Sequence, residues 1–281
     1  MNSIELKANA KVNIGLQVRG QREDGYHNIH TIFQELDLHD TILLEKIRKD
    51  WRIAINDSSI PGDESNSCIQ AYLALKKQFP AIGGISITLN KRIPSGAGLG
   101  GGSSDAAAIL KGLREIFDLS INNEDLLHIA GKIGADVPFF ILGGTQVGNG
   151  IGDILSQINK PMIGFYLLVV PDIFISTSWA YKALKKHLKE GIDRINFADI
   201  LEGNNLSNMI FDNDFERIVV PTYPKIGEIK KGLLKTGANY ASLSGSGSTV
   251  FGIFDDEASA KQAESYFQKQ YLTFLCKPAN I

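Results

Sequence analysis

Hydrophobic and polar positions along the chain follow two periods, one typical of strands and one typical of helices. Residues 11–18 alternate strictly between apolar and polar or glycine positions, which predicts a half-buried strand. The same alternation, or a short apolar run, predicts further strands at residues 31–33, 41–44, 85–89, 164–170 and on both sides of 244–248. The Asp24-Gly25 pair predicts a turn after the first strand.

Apolar residues at three- and four-residue steps predict several amphipathic helices. They cover residues 66–79, 106–117, 122–133, 178–189, 224–235 and 257–270. Ser103, Ser104 and Asp105 are candidate N-caps of the second helix, and Asn122 or Asn123 begins the third. This mixture of strands and helices favours an α+β fold over a doubly wound parallel sheet.

The length of the chain predicts two domains. Its 281 residues are long for one hydrophobic core and sufficient for two. The pattern restarts after Gly150, which places the boundary within residues 150–162. We therefore expect an N-terminal domain at 1–155 and a C-terminal domain at 156–281.

Composition is that of an ordinary globular protein, with 43% apolar and 21% charged residues. The net charge of −2 gives no reason to expect nucleic acid or a membrane surface as a partner. The longest strongly apolar run, 162–170, is too short to span a bilayer, and the N-terminus has no apolar signal region. Cys68 and Cys276 lack metal-site spacing, so we expect free thiols in a cytoplasmic protein.

The segment PSGAGLGGGSSDAAAIL at residues 94–110 is the most distinctive feature of the chain. Five glycines fall between positions 96 and 102, two serines follow, and a helical pattern then begins. Glycine lets backbone N–H groups approach a ligand closely. A helix N-terminus adds unpaired N–H groups and a positive dipole end. Together these features predict an anion site, and phosphate is its commonest occupant.

Three kinds of phosphate loop fit a glycine-rich segment to different degrees. A P-loop requires a lysine just before the hydroxyl residue, but here Gly102 precedes Ser103. The dinucleotide pattern G-x-G-x-x-G is present at Gly96, Gly98 and Gly101, but a second helix follows where that fold needs a strand. A glycine-serine loop that wraps a triphosphate remains. Its two serines then contact phosphate or Mg²⁺, or one of them only caps the helix.

The loop at 94–107 resembles the signature of the galactokinase, homoserine kinase, mevalonate kinase and phosphomevalonate kinase superfamily, the GHMP kinases. ANAKVNIGLQVRGQREDGYHNIHTIFQ (8–34), IGADVPFF (133–140) and SLSGSGSTVFGIF (242–254) resemble its branch that phosphorylates 4-diphosphocytidyl-2-C-methyl-D-erythritol. NDFE at 213–216 also fits, whereas Ser248 stands where the family usually has proline. Four motifs in order are more specific than any one of them.

The resemblance implies a two-domain α+β fold, with an N-terminal domain like ribosomal protein S5 and a C-terminal ferredoxin-like α/β plait. It implies a kinase that uses ATP and Mg²⁺ to phosphorylate the 2-hydroxyl of this cytidylyl alcohol in the non-mevalonate (methylerythritol phosphate) route to isoprenoid precursors. It also implies the residues that bind ATP: Pro94, Ser95, Gly96, Ala97, Gly98, Leu99, Gly100, Gly101, Gly102, Ser103 and Ser104. Ser103 and Ser104 are also the candidate Mg²⁺ contacts.

The resemblance assigns catalysis to Asp136 and Lys11. Asp136 matches the catalytic base of the family, and the alternative is that it caps a short helix containing Pro138. Lys11 matches a catalytic lysine beside that carboxylate, and the alternative is a solvated lysine on the polar face of its strand. A cation beside a carboxylate stabilises its charged form, so the resemblance favours a charge-balanced pair that orients the acceptor hydroxyl over a strongly basic carboxylate. How far Asp136 takes the proton stays open at this level.

The resemblance assigns the cytidine group to the segment after the Asp24-Gly25 turn. Tyr26 is expected to stack on the base and His27 to form a hydrogen bond with it, because bases stack well on aromatic rings. Further substrate-binding candidates are Asn13, Tyr181, Gly245 and Ser246. Alternatives are a half-buried turn aromatic at Tyr26 and a plain hairpin turn at 244–248.

His27, His30 and His39 have no cysteine or carboxylate cluster near them in sequence, which argues against zinc.

Two other functions remain possible at this level. One is a sibling kinase acting on homoserine or mevalonate, which Gly25-Tyr26-His27 disfavours because those substrates have no base. The other is a non-catalytic nucleotide sensor, which the presence of both Lys11 and Asp136 disfavours. The expected partners are ATP and the small-molecule alcohol, without nucleic acid or membrane, and the chain is expected to act as a monomer or homodimer.

Overall fold

The protein is described by a computed structural model that covers residues 1–158, 163–185, 197 and 211–279. It divides into two compact units that alternate along the chain. The first unit comprises Met1–Ala10, Leu38–Ser95 and Gly100–Gly143. The second comprises Lys11–Asp37, Gly96–Leu99 and Gly144–Ile281.

The strands in the described residues are β1 (Ser3–Gln21), β2 (His27–Ile47), β3 (Trp51–Ile55), β4 (Gly84–Asn90), β5 (Thr145–Asn149), β6 (Ile154–Gln157), β7 (Phe165–Val170), β8 (Tyr240–Leu243), β9 (Val250–Phe254) and β10 (Leu272–Cys276). The helices are α1 (Ser67–Gln78), α2 (Gly101–Ile116), α3 (Asn123–Ile133), α4 (Val137–Leu142), α5 (Thr177–Leu184), α6 (Glu216–Thr222), α7 (Pro224–Lys235) and α8 (Glu257–Phe267).

In the first unit, helices α1 to α4 accompany strands β3, β4 and the second half of β2. Strand β4 pairs antiparallel with β2, from Thr41 opposite Asn90 onward, and parallel with β3. The apolar positions of β4 are buried, as alternation predicts. Helix α2 lies close to the start of β1: a Cβ added to Gly112 would come within 2.6 Å of the Leu6 side chain. This core holds the helix that follows the glycine loop.

In the second unit, four strands form an antiparallel sheet in the order β10-β7-β9-β8. Strand β7 leads through helices to the hairpin β8–β9, and α8 then leads to β10. This is the β-α-β-β-α-β arrangement of a ferredoxin-like plait. The first half of β2 also pairs with β5, and β5 pairs with β6. The expected α+β class and the ferredoxin-like plait are both observed.

Most predicted elements form close to their predicted bounds. Asn66 and Asn122 accept hydrogen bonds from backbone N–H groups at the starts of α1 and α3, as N-caps do. The hairpin at 244–248 is confirmed by β8 and β9. Helix α5 occupies the start of predicted segment 178–189, and residues 186–189 lie outside the described residues.

Residues 11–18, 31–33 and 41–44 form strands as predicted, but two details of these strands differ from the prediction. The predicted strands at 31–33 and 41–44 are parts of one strand, β2. Two of the polar residues between them are bonded within the second unit: Gln34 accepts from Thr145 Oγ1 at 2.7 Å, and Glu35 accepts from Gly144 N at 2.8 Å. The predicted half-buried strand at 11–18 is buried on both faces. Side-chain hydrogen bonds satisfy polar groups that the pattern had placed in solvent.

Cys68 and Cys276 are both buried, and no disulfide joins them. Of the helices that the structure describes, none combines the length and the apolar character needed to cross a bilayer.

Candidate active site

The glycine loop between β4 and α2 has alternate glycines in the left-handed region of backbone conformation. The φ angles of Gly96, Gly98 and Gly100 are +68°, +80° and +73°. At Gly98 no other residue fits, because a Cβ would lie 2.2 Å from Ser244 O. The left-handed backbone at every second position therefore explains why glycine alternates with other residues in G-A-G-L-G.

The tip of the loop is held through its carbonyl groups in the second unit. Ala97 O accepts a hydrogen bond from Thr249 N at 3.2 Å, and Leu99 O accepts from Lys11 N at 3.0 Å. Between them, Gly98 O accepts from Ser244 Oγ at 2.9 Å. Three consecutive carbonyls are thus fixed, and Ala97 and Leu99 are buried. The loop tip is an ordered part of the second unit.

The exit from the loop forms the N-terminus of α2 in the first unit. The N-cap is Gly100, which supplies no side-chain hydrogen bond. The prediction that Ser103, Ser104 or Asp105 caps this helix was wrong, because the left-handed Gly100 allows the helix to begin earlier, at Gly101. Ser103 is half-buried and Ser104 is buried within the first turn. The first N–H groups of α2 therefore have no cap from a side chain, as an anion site requires.

At the entry to the loop, Pro94 is half-buried and Ser95 is exposed, both in the first unit. Gly102 is exposed in α2, and its carbonyl accepts a hydrogen bond from Ser67 Oγ at 2.8 Å.

Lys11, Asn13 and Gly245 lie together in the second unit. Lys11 is only 4% exposed, so the solvated alternative was wrong. Its Nζ donates to Asn13 Oδ1 at 2.6 Å, and Asn13 Nδ2 donates to Thr31 Oγ1 at 3.1 Å. A Cβ on Gly245 would lie 3.4 Å from Asn13 Oδ1 and 3.7 Å from Lys11 Nζ. The structure thus brings together three of the predicted site residues, from segments far apart in sequence.

Asp136 lies at the N-cap position of α4 in the first unit, with Pro138 in the first turn. Its side chain forms no capping hydrogen bond, so the capping alternative was wrong. In the same unit, a Cβ on Gly134 would lie 4.0 Å from Ser103 Oγ. The segment that carries Asp136 is therefore adjacent to the first turn of α2. The catalytic roles of Asp136 and Lys11 stay predictions.

An aromatic group lies at the start of β2 in the second unit. The rings of His27 and Tyr181 stack with centroids 4.9 Å apart, and Tyr181 also packs edge-on against Phe215. Tyr26, which precedes His27 in the chain, is 60% exposed. His27 Nε2 is buried without a hydrogen-bond partner. Burial of the ring, and then repulsion by Lys185, lowers the pKa of His27, which favours the neutral imidazole.

The last glycine loop contacts α5 as well as the glycine loop tip. Ser246 Oγ lies 3.1 Å from Thr177 Oγ1, and Thr177 begins the helix that carries Tyr181. Residues 244–248 connect the two strands of a hairpin, which was the alternative to a substrate-binding loop. They also contact Thr177 and Gly98 in other segments of the second unit.

Sequence reasoning missed Asn213, which shapes this loop. Its Nδ2 donates to the carbonyls of Leu243 and Gly245, both at 2.8 Å. The following residue, Asp214, accepts a hydrogen bond from Val18 N at 2.8 Å. The NDFE motif was the available signal, although it did not reveal these roles.

A second missed feature is a buried charge cluster in the first unit. Lys91 Nζ donates to Asp40 Oδ2 and, at 2.7 Å, to Asp105 Oδ2. Burial and the neighbouring Asp40 raise the pKa of Asp105 to about 7, although Lys91 acts in the opposite direction. No sequence pattern links these positions, which lie on β2, just after β4 and on α2.

Among the residues that the structure describes, no group of three or more His, Cys, Asp and Glu side chains is arranged to hold a metal ion. Both nitrogens of His30 are engaged structurally. Nδ1 lies 2.7 Å from Asn149 Oδ1, and Nε2 accepts from Phe197 N at 3.0 Å.

Two family models match the chain. GHMP kinases N terminal domain matches residues 66–144, and GHMP kinases C terminal matches residues 181–272. The expected boundary between 1–155 and 156–281 falls in the segment between these matches and stays a prediction.

The chain is similar over nearly its whole length to curated proteins of one name. The 4-diphosphocytidyl-2-C-methyl-D-erythritol kinase of Syntrophomonas wolfei is 39% identical over 272 residues, which cover 96% of this chain and 95% of that protein. The protein of the same name from Chlorobium chlorochromatii is 40% identical over 276 residues, with 96% and 95% coverage.

Two solved structures are similar to the chain over nearly its whole length. A crystal structure of 4-(cytidine 5'-diphospho)-2C-methyl-D-erythritol kinase matches with a TM-score of 0.86 and 30% identity, covering 99% of this chain and 100% of that one. Homoserine kinase from Cytophaga hutchinsonii matches with a TM-score of 0.76 and 19% identity, covering 99% and 95%. The second match shows the fold alone.

Proposed function

The chain belongs to the GHMP kinase family of ATP-dependent small-molecule kinases, and on that premise we propose that its acceptor is 4-diphosphocytidyl-2-C-methyl-D-erythritol. The γ-phosphoryl group of ATP passes to the 2-hydroxyl oxygen of this alcohol. The bond from γ-phosphorus to the β–γ bridging oxygen breaks, and ADP leaves. The product is an intermediate of the methylerythritol phosphate route to isoprenoid precursors.

The observation that carries this proposal is the stacked pair of His27 and Tyr181, with the exposed Tyr26 next to His27 in the chain. His27 Nε2 is buried and lacks a partner, although a buried polar atom normally has one. The edge of a nucleobase supplies such a partner, and the exposed ring of Tyr26 offers a stacking surface. A cytidine group satisfies both features. Homoserine and mevalonate have groups that form hydrogen bonds, but they have no base that could stack on Tyr26.

The donor side of the proposal rests on the loop at 94–104 and the N-terminus of α2. Backbone N–H groups without a side-chain cap suit the phosphates of ATP. Mg²⁺ usually keeps several waters and bridges phosphates, so it needs few protein ligands. Ser103 fits this requirement better than Ser104, because Ser103 is only half-buried and Ser104 is buried. When bound with ATP, Mg²⁺ neutralises charge on the phosphate oxygens.

We assign the hydroxyl proton of the acceptor to the Asp136 carboxylate. Asp136 lies two residues after Gly134, whose neighbour is Ser103 Oγ. The same short region therefore serves both the phosphate and the acceptor. Lys11 supplies a buried positive charge whose direction is set by Asn13. Its role is to balance negative charge and to orient the acceptor.

Measurement of ADP release tests the proposed acceptor. The purified chain is incubated with ATP, Mg²⁺ and, separately, the cytidylyl alcohol, homoserine and mevalonate. We expect turnover only with the cytidylyl alcohol. Turnover with mevalonate or homoserine alone would overturn the acceptor assignment, and ATP binding without any turnover would support a nucleotide sensor.

We place the protein in the cytoplasm on the basis of its two buried cysteines, which form no disulfide, as is usual in a reducing compartment. Cell fractionation tests this location. Light scattering on the purified chain distinguishes the monomer from the homodimer.

A further inference from the structure

Asp40 holds the entry to the glycine loop in the first unit. It is fully buried on β2. Its Oδ1 accepts hydrogen bonds from Arg92 N at 2.5 Å and from Ile93 N at 2.8 Å. These two N–H groups immediately precede Pro94, where the loop begins. The carboxylate therefore fixes the direction in which the chain leaves β4.

Lys91 connects this entry to the exit of the loop. Its ammonium contacts the second oxygen of Asp40 and donates at 2.7 Å to Asp105, which lies in the second turn of α2. A Cβ on Gly101 would lie 3.1 Å from Lys91 Nζ. Glycine at the first position of α2 thus leaves room for the ammonium beneath the helix start.

The cluster is poorly suited to stabilise the fold. Buried ion pairs often contribute no more stability than apolar residues of similar size, because desolvation opposes their attraction. Moreover, Asp105 Oδ1 is buried without a hydrogen-bond partner. Proteins retain such unfavourable groups mainly where function requires a defined geometry.

We propose that Asp40, Lys91 and Asp105 form a clamp that fixes the separation of the two ends of the glycine loop and thereby positions its N–H groups for the phosphates of a nucleotide. This proposal rests on the proposed kinase function, because it assigns the loop to ATP. The three side chains are positioning residues that act through the backbone of Arg92, Ile93 and the start of α2. A displacement of about 1 Å at such a site can reduce the rate about 10²-fold.

The test compares two substitutions of Asp105 in the full chain. Asp105→Ala removes one of the two acceptors of Lys91, whereas Asp105→Asn keeps an oxygen in the same place. Asp125→Ala is the matched control, since Asp125 is exposed in α3 of the same unit. Calorimetry measures the Kd of the non-hydrolysable analogue AMP-PNP, and steady-state kinetics measure KM for ATP and for the acceptor.

We expect Asp105→Ala to weaken AMP-PNP binding by about tenfold to 10²-fold, with an unchanged KM for the acceptor. Asp105→Asn should restore most of the affinity, and Asp125→Ala should stay within about twofold of the wild type. Unchanged AMP-PNP affinity in Asp105→Ala would overturn the clamp. An Asn variant as weak as the Ala variant would do the same, as would equal losses for both substrates.

If Asp105→Ala does not fold, the Lys91→Arg variant is used to test the clamp instead. It keeps the charge but replaces a compact ammonium with a planar guanidinium of different donor geometry, so AMP-PNP affinity should fall. Wild-type affinity in Lys91→Arg would count against the clamp.

A wild-type chain that binds AMP-PNP but does not phosphorylate the cytidylyl alcohol would overturn the acceptor assignment alone. A wild-type chain that does not bind AMP-PNP would overturn both proposals.

Discussion

Lys11 is buried on β1 although burial of a charge is unfavourable unless the charge is compensated. Its Nζ is oriented by Asn13, and Asn13 is oriented in turn by Thr31. Alternation along β1 places Lys11 and Asn13 away from the apolar face, where a solvated lysine would be expected, and Thr31 reaches them from β2. Burial of both faces instead converts this polar stripe into an ordered hydrogen-bonded chain, which favours a functional role for the ammonium.

Substitution of Asp136 by asparagine tests its role as the base. Asparagine preserves the shape of the side chain but does not take the hydroxyl proton of the acceptor. We expect kcat to fall by about 10²- to 10⁴-fold, with little change in AMP-PNP affinity. Asp125→Asn is the control, since this exposed aspartate lies in another helix of the same unit. Near-normal kcat in Asp136→Asn would refute the assignment.

His27 predicts a specific dependence of stability on pH. Its pKa is lowered in the folded protein, chiefly by burial and also by Lys185. The unfolded chain therefore takes up this proton near pH 6.5, before the folded chain does. As the pH falls below about 6.5, protonation favours the unfolded state, and the free energy of unfolding decreases.

Replacement by glutamine removes this contribution. Urea unfolding between about pH 5 and 6.5 should show a smaller loss of stability in His27→Gln than in the wild type. Identical slopes in the two proteins would mean that His27 titrates alike in both states.

At the scale of elements, the glycine loop depends on two different environments. Its entry and exit belong to the first unit, where Asp40 and the N-terminus of α2 lie. Its tip belongs to the second unit, where Ser244, Thr249 and Lys11 hold three carbonyls. A loop bonded in this way is pre-ordered, so little conformational entropy remains to be lost when a ligand binds.

Substitution Gly98→Ala should disrupt the loop tip. Its φ of +80° costs an L-residue about 1–2 kcal/mol, and the new Cβ would lie 2.2 Å from Ser244 O. Because the carbonyl must move, we expect a lower Tm and a kcat/KM for ATP reduced by about 10²-fold.

Gly131→Ala is the matched control within α3, where the nearest atom to a new Cβ is 3.9 Å away. It should leave activity unchanged and stabilise the protein by up to about 1 kcal/mol. If Gly98→Ala kept wild-type activity, the loop tip would not be needed in its observed conformation.

At the scale of the whole molecule, each unit has its own core. In the second unit, the core joins the four-stranded sheet to α5, α6, α7 and α8. In the first, α1 and α2 bury apolar faces alongside β4. Family matches fall on both halves of the chain, so the kinase family is a property of the entire sequence.

Chelation should separate activity from folding. In the part of the chain that the structure describes, no metal cluster contributes to either core. Mg²⁺ is proposed to enter with the nucleotide. Excess EDTA should abolish ADP release and leave the Tm of the ligand-free protein unchanged. A Tm that falls on chelation would indicate a structural metal instead.

The sequence by itself determined the elements whose signals are local. Asn66 and Asn122 marked the starts of α1 and α3, and alternation marked β4, because capping and periodicity depend on residues only a few positions apart. The glycine-rich composition at 94–104 also predicted a phosphate loop, since such loops draw on backbone N–H groups of contiguous residues.

Tertiary structure alone decided which polar groups are buried and what they contact. The N-cap of α2 is Gly100 and not Ser103, Ser104 or Asp105, because the loop enters the helix in a left-handed conformation that N-cap preferences do not predict. The cluster of Asp40, Lys91 and Asp105 was invisible in the sequence, because its members come from separate elements. Burial and long-range hydrogen bonds depend on how distant segments pack, and neither leaves a periodic signal along the chain.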